Sequence, residues 1–319
     1  MVARVLAVCA AIVFIAAPVS AFGMPGGSPR LQLGLLGDPG RFAQQTDQHS
    51  ATRLMIVGWG QGSTPAYFTH LLSTMLDEPM IGLSTSRKGV REALTPAEIA
   101  HGRGDAFLLA LNAALASWGK PVFVRPLAEM NGHWNVYSAY NADGSSRGPD
   151  HSTALFRKAF ARIYLIVHGG PAVNQELERL GLPPVAAHPE AVPNVQVIWN
   201  PQGYGSPDLP GNSAQAYYPG DAYVDVVGDD LYDIGGKAAW AAAAALYAAH
   251  PRKPFAIGEW GLWGVDDARF VGRMAAFIRR HPRLVVANYY SGKSGSVFDL
   301  GSKPSSLAAY RSLITPLGG

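Results

Sequence analysis

The stretches RPLAEMNGHW, at Arg125–Trp134, and KPFAIGEWG, at Lys253–Gly261, determine how this chain is organised. Each continues a hydrophobic run that is typical of a buried strand, and each run is followed by a glutamate. The glutamates are Glu129 in the first stretch and Glu259 in the second, and aromatic or amide residues flank them. We therefore expect two carboxyl groups at the carboxyl ends of two strands that lie far apart in the chain.

Further apolar runs of the same kind occur along the sequence. With the two above, the predicted strands are Leu31–Leu36, Leu54–Val57, Met80–Leu83, Val122–Arg125, Val195–Trp199, Val224–Val227, Phe255–Gly258 and Val285–Tyr289. Several are almost continuously apolar, which is typical of parallel strands covered on both faces.

Helical patterns fill the intervals between these strands. Thr95 followed by Pro96 is typical of a helix start. The predicted helices are Phe107–Trp118, Ala238–Ala249, Asp266–Arg280 and Ser305–Leu313, and the predicted long loops are Gly169–Asn194 and Pro201–Asp221. Eight strands alternating with helices predict an α/β fold, a single-domain (β/α)8 TIM barrel. A doubly wound sheet is the main alternative, but no G-x-G-x-x-G fingerprint follows the first strand.

The amino-terminal segment Met1–Ala21 has the features of a secretory signal peptide. Arg4 supplies a positive charge, Val5–Ala17 is apolar, and small residues precede the predicted cleavage after Ala21. A membrane anchor is the alternative, but the apolar run is short for a spanning helix and Pro18 follows it. We predict a signal peptide at 1–21, a tether at 22–30, a catalytic barrel at 31–319, and a secreted protein without a transmembrane helix in its mature form.

Composition and charge exclude several classes of function. The chain has 319 residues, 48% of them hydrophobic, and a formal charge of +3, without a stripe of Lys and Arg. Nucleic acid is therefore not an expected partner. Cys9 is the only cysteine and lies within the predicted signal peptide, so no disulfide and no cysteine-based metal site is expected. We expect a monomer that needs no cofactor and no metal.

The two glutamates have the chemistry of a glycosidase. In a barrel, residues at the carboxyl ends of the strands share one cleft, and Glu129 and Glu259 follow predicted strands four and seven. Glycosidic bond cleavage needs two carboxyl groups, about 5–5.5 Å apart for retention of configuration and about 6.5–9.5 Å apart for inversion. The spacing in sequence leaves this distance open.

The motifs together resemble glycoside hydrolase family 26, a family of barrel enzymes dominated by endo-β-1,4-mannanases. The signature Arg-x-x-x-Glu-Met-Asn-Gly-x-Trp is present at Arg125–Trp134. The segment that leads through strand six is present at Tyr218–Tyr232, and the strand-seven glutamate followed by an aromatic residue and glycine is Glu259–Gly261. The resemblance covers essentially the whole predicted mature chain.

The resemblance implies a role for each matching residue. Glu129 would be the general acid/base and Glu259 the nucleophile of a retaining double displacement. Tyr232 would hydrogen-bond the nucleophile, and Arg125 would lie beneath the carboxyl groups as a fixed positive charge. The predicted substrate-binding residues are Asn131, His133, Trp134, Trp199, Trp260 and Tyr289.

Two of these assignments leave alternatives open. Trp260 fits packing between barrel and helices as well as stacking on a sugar. Strand alternation alone does not decide whether Tyr289 or Tyr290 faces the cleft. The neighbouring pair Asp229 and Asp230 resembles a paired-carboxylate site, but adjacent residues of a strand point in opposite directions, so no metal site is predicted there.

One departure from the family concerns the substrate. The mannanases of the family typically have histidine before the acid/base glutamate, where this chain has Ala128. His133 is a candidate replacement. β-1,4-Mannan is the first substrate to expect, with β-glucan or β-xylan as alternatives. A carbohydrate-binding protein that has lost turnover is the alternative from another functional class.

Overall fold

A computed structural model describes residues 31–76, 78–87 and 91–318. The predicted signal peptide and tether lie outside the described residues. Eight parallel strands form a closed barrel, in which each strand pairs with its neighbours in the chain and the last pairs with the first. The strands are β1 (Gln32–Gly37), β2 (Thr52–Gly58), β3 (Glu78–Ser84), β4 (Val122–Pro126), β5 (Val195–Trp199), β6 (Val226–Ile234), β7 (Phe255–Trp263) and β8 (Leu284–Gly292). The predicted fold class is confirmed.

Helices cover the outside of the barrel. They are α1 (Pro39–Thr46), α2 (Pro65–Ser73), α3 (Pro96–Ala100), α4 (Asp105–Trp118), α5 (Thr153–His168), α6 (Val173–Arg179), α7 (Trp240–Ala249), α8 (Ala268–Arg280) and α9 (Pro304–Leu313). A two-stranded hairpin, Ser86–Arg87 with Arg91–Glu92, follows β3. The helix start predicted at Thr95 is a complete capping box with Glu98.

The structure corrects two parts of the predicted helix pattern. The segment Gly169–Asn194 is not one long loop, because it contains α6. The sequence pattern also missed α5, whose first turn is capped by the Ser152 side chain. Phe156 and Phe160 are buried on one face of this helix. Its apolar residues recur at three- and four-residue spacing, which is the signal that predicts an amphipathic helix.

The barrel interior is filled by one side chain from each of seven strands. These are Leu54, Met80, Phe123, Ile198, Val226, Ala256 and Val286. Burying a large aliphatic or aromatic side chain contributes about 1.5–3 kcal/mol. This layer closes the barrel beneath its carboxyl-terminal end. The inward-facing side chains nearer the carboxyl end of each strand therefore face an open cleft.

Three strand properties shape that cleft. β6 and β7 continue well beyond their predicted ends, so Glu259 lies within β7 instead of after it. A register irregularity between Asp229 and Asp230 interrupts the pairing of β6 with β7. β1 and β2 pair only at Gly34 with Thr52 and Leu35 with Arg53, so their carboxyl ends share no ladder hydrogen bonds.

Candidate active site

Glu259 is held at both carboxylate oxygens. Arg125 Nη1 donates to Oε1 at 2.6 Å, and the Tyr232 hydroxyl donates to Oε2 at 2.7 Å. The Glu259 side chain is 12% exposed, and it opens into the cleft. A carboxylate with one donor on each oxygen has a fixed orientation, and the guanidinium balances its charge. The predicted placement of Arg125 and Tyr232 beside Glu259 is therefore present in the structure.

Glu129 lies in a strained turn after β4. Its φ angle is 53° and that of Leu127 is 49°, both in the left-handed region that residues with a side chain rarely adopt. The turn is fixed by the Glu129 backbone N–H, which donates to Asn200 O at 2.7 Å. Asn135 Nδ2 also donates to Glu129 O at 2.9 Å. These contacts aim the carboxyl group into the cleft.

The surroundings of the Glu129 carboxyl differ from those of Glu259. Trp134 Nε1 donates to Oε2 at 2.6 Å, and Gln202 Nε2 donates to Oε1 at 2.5 Å. Burial, and then the charge of Glu259, raise the pKa of Glu129 above its ordinary value. The hydrogen bond from Trp134 and the charge of Arg125 oppose this shift. The two glutamates thus have different hydrogen-bond partners, with a guanidinium at Glu259 and an indole and an amide at Glu129.

Asp230 is a site residue that the sequence analysis missed. It is buried beneath the glutamates, forms an ion pair with Arg125, and accepts the Glu259 backbone N–H at 2.8 Å. Arg125 also donates through Nε to Asn200 Oδ1 at 3.0 Å. Asp230 therefore positions both the guanidinium and the backbone of Glu259.

The preceding residue, Asp229, does not face the cleft. Its Oδ1 accepts the backbone N–H groups of Gly203 and Asp230, each at 2.9 Å. Complete burial raises the pKa of Asp229 to about 8. The two aspartates thus serve different structural roles.

Both glutamates line one cavity of about 900 Å³. Trp134, Tyr232, Gln202, Tyr204, Lys237, Trp263, Tyr290 and Phe298 also line it. The sequence analysis missed Gln202, Tyr204 and Lys237 as site residues. It left open the choice between Tyr289 and Tyr290, and the structure selects Tyr290.

Three residues predicted to bind substrate are wrong assignments, because they are fully buried outside the cleft. Trp199 packs edge-on against Tyr218. Trp260 stacks on Tyr310, with ring centroids 5.5 Å apart. Tyr289 is also inaccessible, and its hydroxyl donates to a backbone carbonyl. Each residue follows or precedes an inward-facing neighbour in its strand, so alternation points it toward the helices.

Two further residues predicted to bind substrate support the loops instead. The fully buried Asn131 donates to the carbonyl oxygens of Gln202 and Tyr204 at 2.9 and 3.0 Å. His133 contacts Ser206 Oγ through Nδ1 at 3.1 Å and is not among the residues that line the cavity. The predicted replacement of the family histidine by His133 is therefore wrong. Trp134 remains at the cavity, where it is 45% exposed.

Ala128 leaves its position without a polar side chain. Its carbonyl oxygen accepts the Tyr137 hydroxyl at 2.6 Å and the Asn135 amide at 3.2 Å. These bonds hold the turn before Glu129, and no described histidine is among the residues that line the cavity. Within residues 31–76, 78–87 and 91–318, no three His, Cys, Asp or Glu side chains are arranged to hold a metal ion. The same residues include no helix long and apolar enough to cross a membrane.

Comparison with proteins of known sequence gives two relatives. The chain is 26% identical over 230 residues to endoglucanase H of Acetivibrio thermocellus, a match that covers 68% of this chain and 23% of that protein. It is 25% identical over 226 residues to a mannan endo-1,4-β-mannosidase of Bacillus subtilis, which covers 68% of this chain and 54% of the relative. The matches thus span between a quarter and about half of the relatives' lengths. No family model matches the chain.

Solved structures show the same fold. The Bacillus subtilis mannanase man26 has a TM-score of 0.57 at 19% identity, over 90% of this chain and 86% of that one. A family 26 β-mannanase from Bacteroides ovatus has a TM-score of 0.53 at 16% identity, over 91% and 87%. In fold and in sequence, the chain is therefore similar to the mannanases of glycoside hydrolase family 26, which confirms the resemblance predicted from its motifs.

Proposed function

We propose that the protein is a retaining endo-β-glycosidase that hydrolyses a β-linked polysaccharide. The observation that carries this proposal is the placement of Glu129 and Glu259 on one cavity in two different environments. Burial and the charge of Glu259 raise the pKa of Glu129, as a general acid requires, while Arg125 balances the charge of Glu259.

In the first step, Glu129 donates its proton to the glycosidic oxygen as the carbon–oxygen bond breaks. A Glu259 oxygen forms a bond to the anomeric carbon on the opposite face, giving a covalent glycosyl-enzyme. Tyr232 holds the other oxygen of Glu259 and fixes the direction of attack. The leaving sugar departs with the proton of Glu129 as a new hydroxyl.

In the second step, water replaces the leaving sugar. Glu129, now ionised, removes a proton from the water, and the oxygen of the water forms a bond to the anomeric carbon. The bond to Glu259 breaks, and the carboxylate returns to its starting state. Glu129 is again protonated, and two inversions give net retention.

The cavity walls favour a sugar chain as the substrate. Trp134 and Trp263 are 45% and 49% exposed, and Tyr204 is 42% exposed. Aromatic faces next to hydrogen-bonding groups suit the apolar faces and hydroxyl edges of sugar rings. β-1,4-Mannan is the first substrate to test, since a mannosidase is among the relatives. β-Glucan is the second candidate because the other relative is an endoglucanase.

A reducing-sugar assay on mannan, β-glucan and xylan tests the activity and its substrate. The proposal expects hydrolysis of at least one polymer, with a fall in viscosity that precedes the release of small products, as endo cleavage produces. Binding without product release on every polymer would support a carbohydrate-binding protein instead.

Azide rescue tests the two assignments and the stereochemistry. With a substrate that has a good leaving group, Glu129→Ala should still form glycosyl-enzyme, which azide converts to a β-glycosyl azide. Glu259→Ala should give an α-glycosyl azide by direct displacement. Each variant should lose at least about 10²–10⁴-fold in rate without azide. The opposite pair of products would exchange the roles, and full activity in either variant would remove that residue from the mechanism.

We also propose that the enzyme is exported and that its signal peptide is cleaved after Ala21. The mature protein would be a monomer with a single catalytic barrel at 31–319. The composition of Met1–Ala21 supports export. Amino-terminal sequencing of protein from culture medium should begin at or near Phe22. Intact, membrane-bound protein would favour the anchor instead, and light scattering would measure the mass of the assembly.

A further inference from the structure

A second chamber adjoins the active-site cavity. It has a volume of about 830 Å³ and lies between the end of β1, strand β2 and the segment that follows β8. β1 and β2 share only two register pairs, so the wall of the barrel is open here. Tyr290 and Phe298 line both spaces, with ring centroids 4.4 Å apart. The chamber therefore shares a wall with the cleft.

The position of the chamber assigns it to one end of the substrate, if the proposed function holds. Glu129, the proposed proton donor, lies beside Trp134 and Gln202, so the leaving sugar occupies that side. The sugar that stays attached to Glu259 lies on the side of Tyr232, whose ring is 5.7 Å from that of Phe298. The units before the cleaved bond then extend past Phe298 into the chamber.

The lining of the chamber has an excess of cationic residues, whereas Arg125 already pairs with two of the carboxyl groups at the active-site cavity. Three carboxyl residues, Glu129, Asp230 and Glu259, line the cavity together with one cation, Lys237. Three cationic residues and one acid line the chamber: Arg41, Arg53, Lys293 and Asp38. A wall with an excess of positive charge attracts anionic groups and repels cations.

The cations of the chamber differ in how far they are already neutralised. Arg41 is held by Asp299 at 2.9 Å and by the Gly292 carbonyl. Lys293 is exposed at the chamber and takes part in none of the ion pairs within the described residues. Ser296 Oγ, also in the lining, is buried without a hydrogen-bond partner among those residues. The Lys293 charge is therefore the accessible group of the chamber that has unused hydrogen-bonding capacity.

We infer that this chamber binds a sugar unit that bears a carboxylate, such as a uronic acid, on the non-reducing side of the bond that is cleaved. The apolar floor formed by Leu36, Leu54 and Ile56 accepts the ring, while the ammonium group of Lys293 meets the carboxylate. The preferred substrate is then an acidic polysaccharide or an acidic branch on a neutral backbone.

The test compares β-1,4-manno-oligosaccharides of one length, unmodified or oxidised to a carboxylate at C6 of a unit near the non-reducing end. The wild-type protein should show a kcat/KM at least about tenfold higher on the oxidised form, as a hydrogen bond to a charged group provides. The preference should fall at about 1 M salt, where the screening length is about 3 Å. Equal kcat/KM values for the two substrates would overturn the inference.

Substitutions at Lys293 show whether the chamber is responsible. The ratio of the two kcat/KM values should fall several-fold in Lys293→Met and fall below one in Lys293→Glu. Lys120→Met makes the same charge change at an exposed residue outside both linings and should keep the wild-type ratio. An unchanged ratio in Lys293→Glu would overturn the inference.

Binding measurements separate this inference from the proposed function. Titration calorimetry with Glu129→Gln measures the affinity for both oligosaccharides without turnover. Tighter binding of the oxidised form that is lost in Glu129→Gln/Lys293→Glu supports the chamber, even if the wild-type protein hydrolyses neither. That result would contradict the proposed hydrolase alone. Equal affinities would contradict the chamber, whatever the activity.

Discussion

Trp134 and Glu129 are joined by a hydrogen bond of 2.6 Å from the indole N–H to the carboxyl group, so one side chain both lines the cleft and contacts the proposed proton donor. The indole is 45% exposed and offers a face to a sugar ring. Its N–H favours the ionised form of Glu129, in opposition to burial and the charge of Glu259. Substrate contact and acid strength are thus linked through one residue.

Trp134→Phe should therefore move the alkaline limb of the pH profile to higher pH. Loss of the N–H donor raises the pKa of Glu129 further, and the proton needed for the first step is then retained at higher pH. The measurement is kcat/KM against pH. Trp263→Phe is the matched control, since Trp263 lines the cavity without a hydrogen bond to Glu129 within the described residues. A limb that moves to lower pH would contradict the argument.

Tyr232→Phe should lower kcat by about 10–100-fold, which corresponds to the loss of a hydrogen bond to a charged group. The Tyr232 hydroxyl is 2.7 Å from Glu259 Oε2, and without it the carboxylate is held on one side only. Tyr310→Phe is the control, because this buried hydroxyl binds Gln48 outside the cavity lining. Tyr310→Phe should have the same kcat as the wild-type protein. A rise in KM at unchanged kcat for Tyr232→Phe would indicate a role in substrate binding alone.

Asp229→Asn should make stability less dependent on pH. The pKa of Asp229 is about 8 in the folded protein against an ordinary 3.8, so the folded state binds the extra proton between these values. The stability that this proton contributes is complete below pH about 4 and is lost as pH rises toward 8. Asparagine keeps the oxygen that accepts from Gly203 and Asp230 and carries no charge.

Urea unfolding of the wild type and of Asp229→Asn at pH 5 and pH 8 measures this effect. The wild type should lose more stability than the variant between the two values, and the variant should be the more stable one at the higher pH. Parallel losses in both proteins would show that other groups determine the pH dependence.

Trp260 and Trp263 should respond differently to truncation. Trp260→Ala leaves a cavity against Tyr310 and should cost about 3–5 kcal/mol of stability. Trp263→Ala removes a half-exposed ring from the cleft, so it should raise KM with little loss of stability. Thermal unfolding and steady-state kinetics on both variants decide this, and a stability loss confined to Trp263→Ala would reverse the assignment.

Trp260 and Trp263 also show how much of the site could be predicted from the sequence. All eight predicted strands overlap strands of the structure, and both glutamates line one cavity, because apolar runs and motif spacing are local signals. The predicted β6 and β7 end too early. The prediction therefore did not say which way the residues beyond Glu259 face. Strict alternation along β7 from the inward-facing Ala256 would point Trp260 inward. The register irregularity opposite Asp229 and Asp230 shifts the pattern by one residue, so Glu259 faces the cleft and Trp260 faces the helices. In β8, plain alternation from the inward-facing Val286 assigns Tyr290 to the cleft and Tyr289 to the core.

The remaining site residues depend on contacts between distant loops. Gln202 and Tyr204 reach the cleft because the buried amide of Asn131 binds both of their carbonyl groups. Asp230 lies within the motif at Tyr218–Tyr232, but its role depends on an ion pair with Arg125 on another strand. No periodicity in the sequence specifies such contacts, because they arise only when the barrel closes.

The left-handed turn at Leu127 and Glu129 has a consequence for how this sequence can evolve. A residue with a side chain costs about 1–2 kcal/mol in this conformation, whereas glycine adopts it freely. Selection on this backbone conformation alone would therefore favour glycine at the position of the proposed proton donor. If the proposed turnover is what retains glutamate, a glycine that replaced it in a lineage released from that selection would relieve the backbone strain and end catalysis at once.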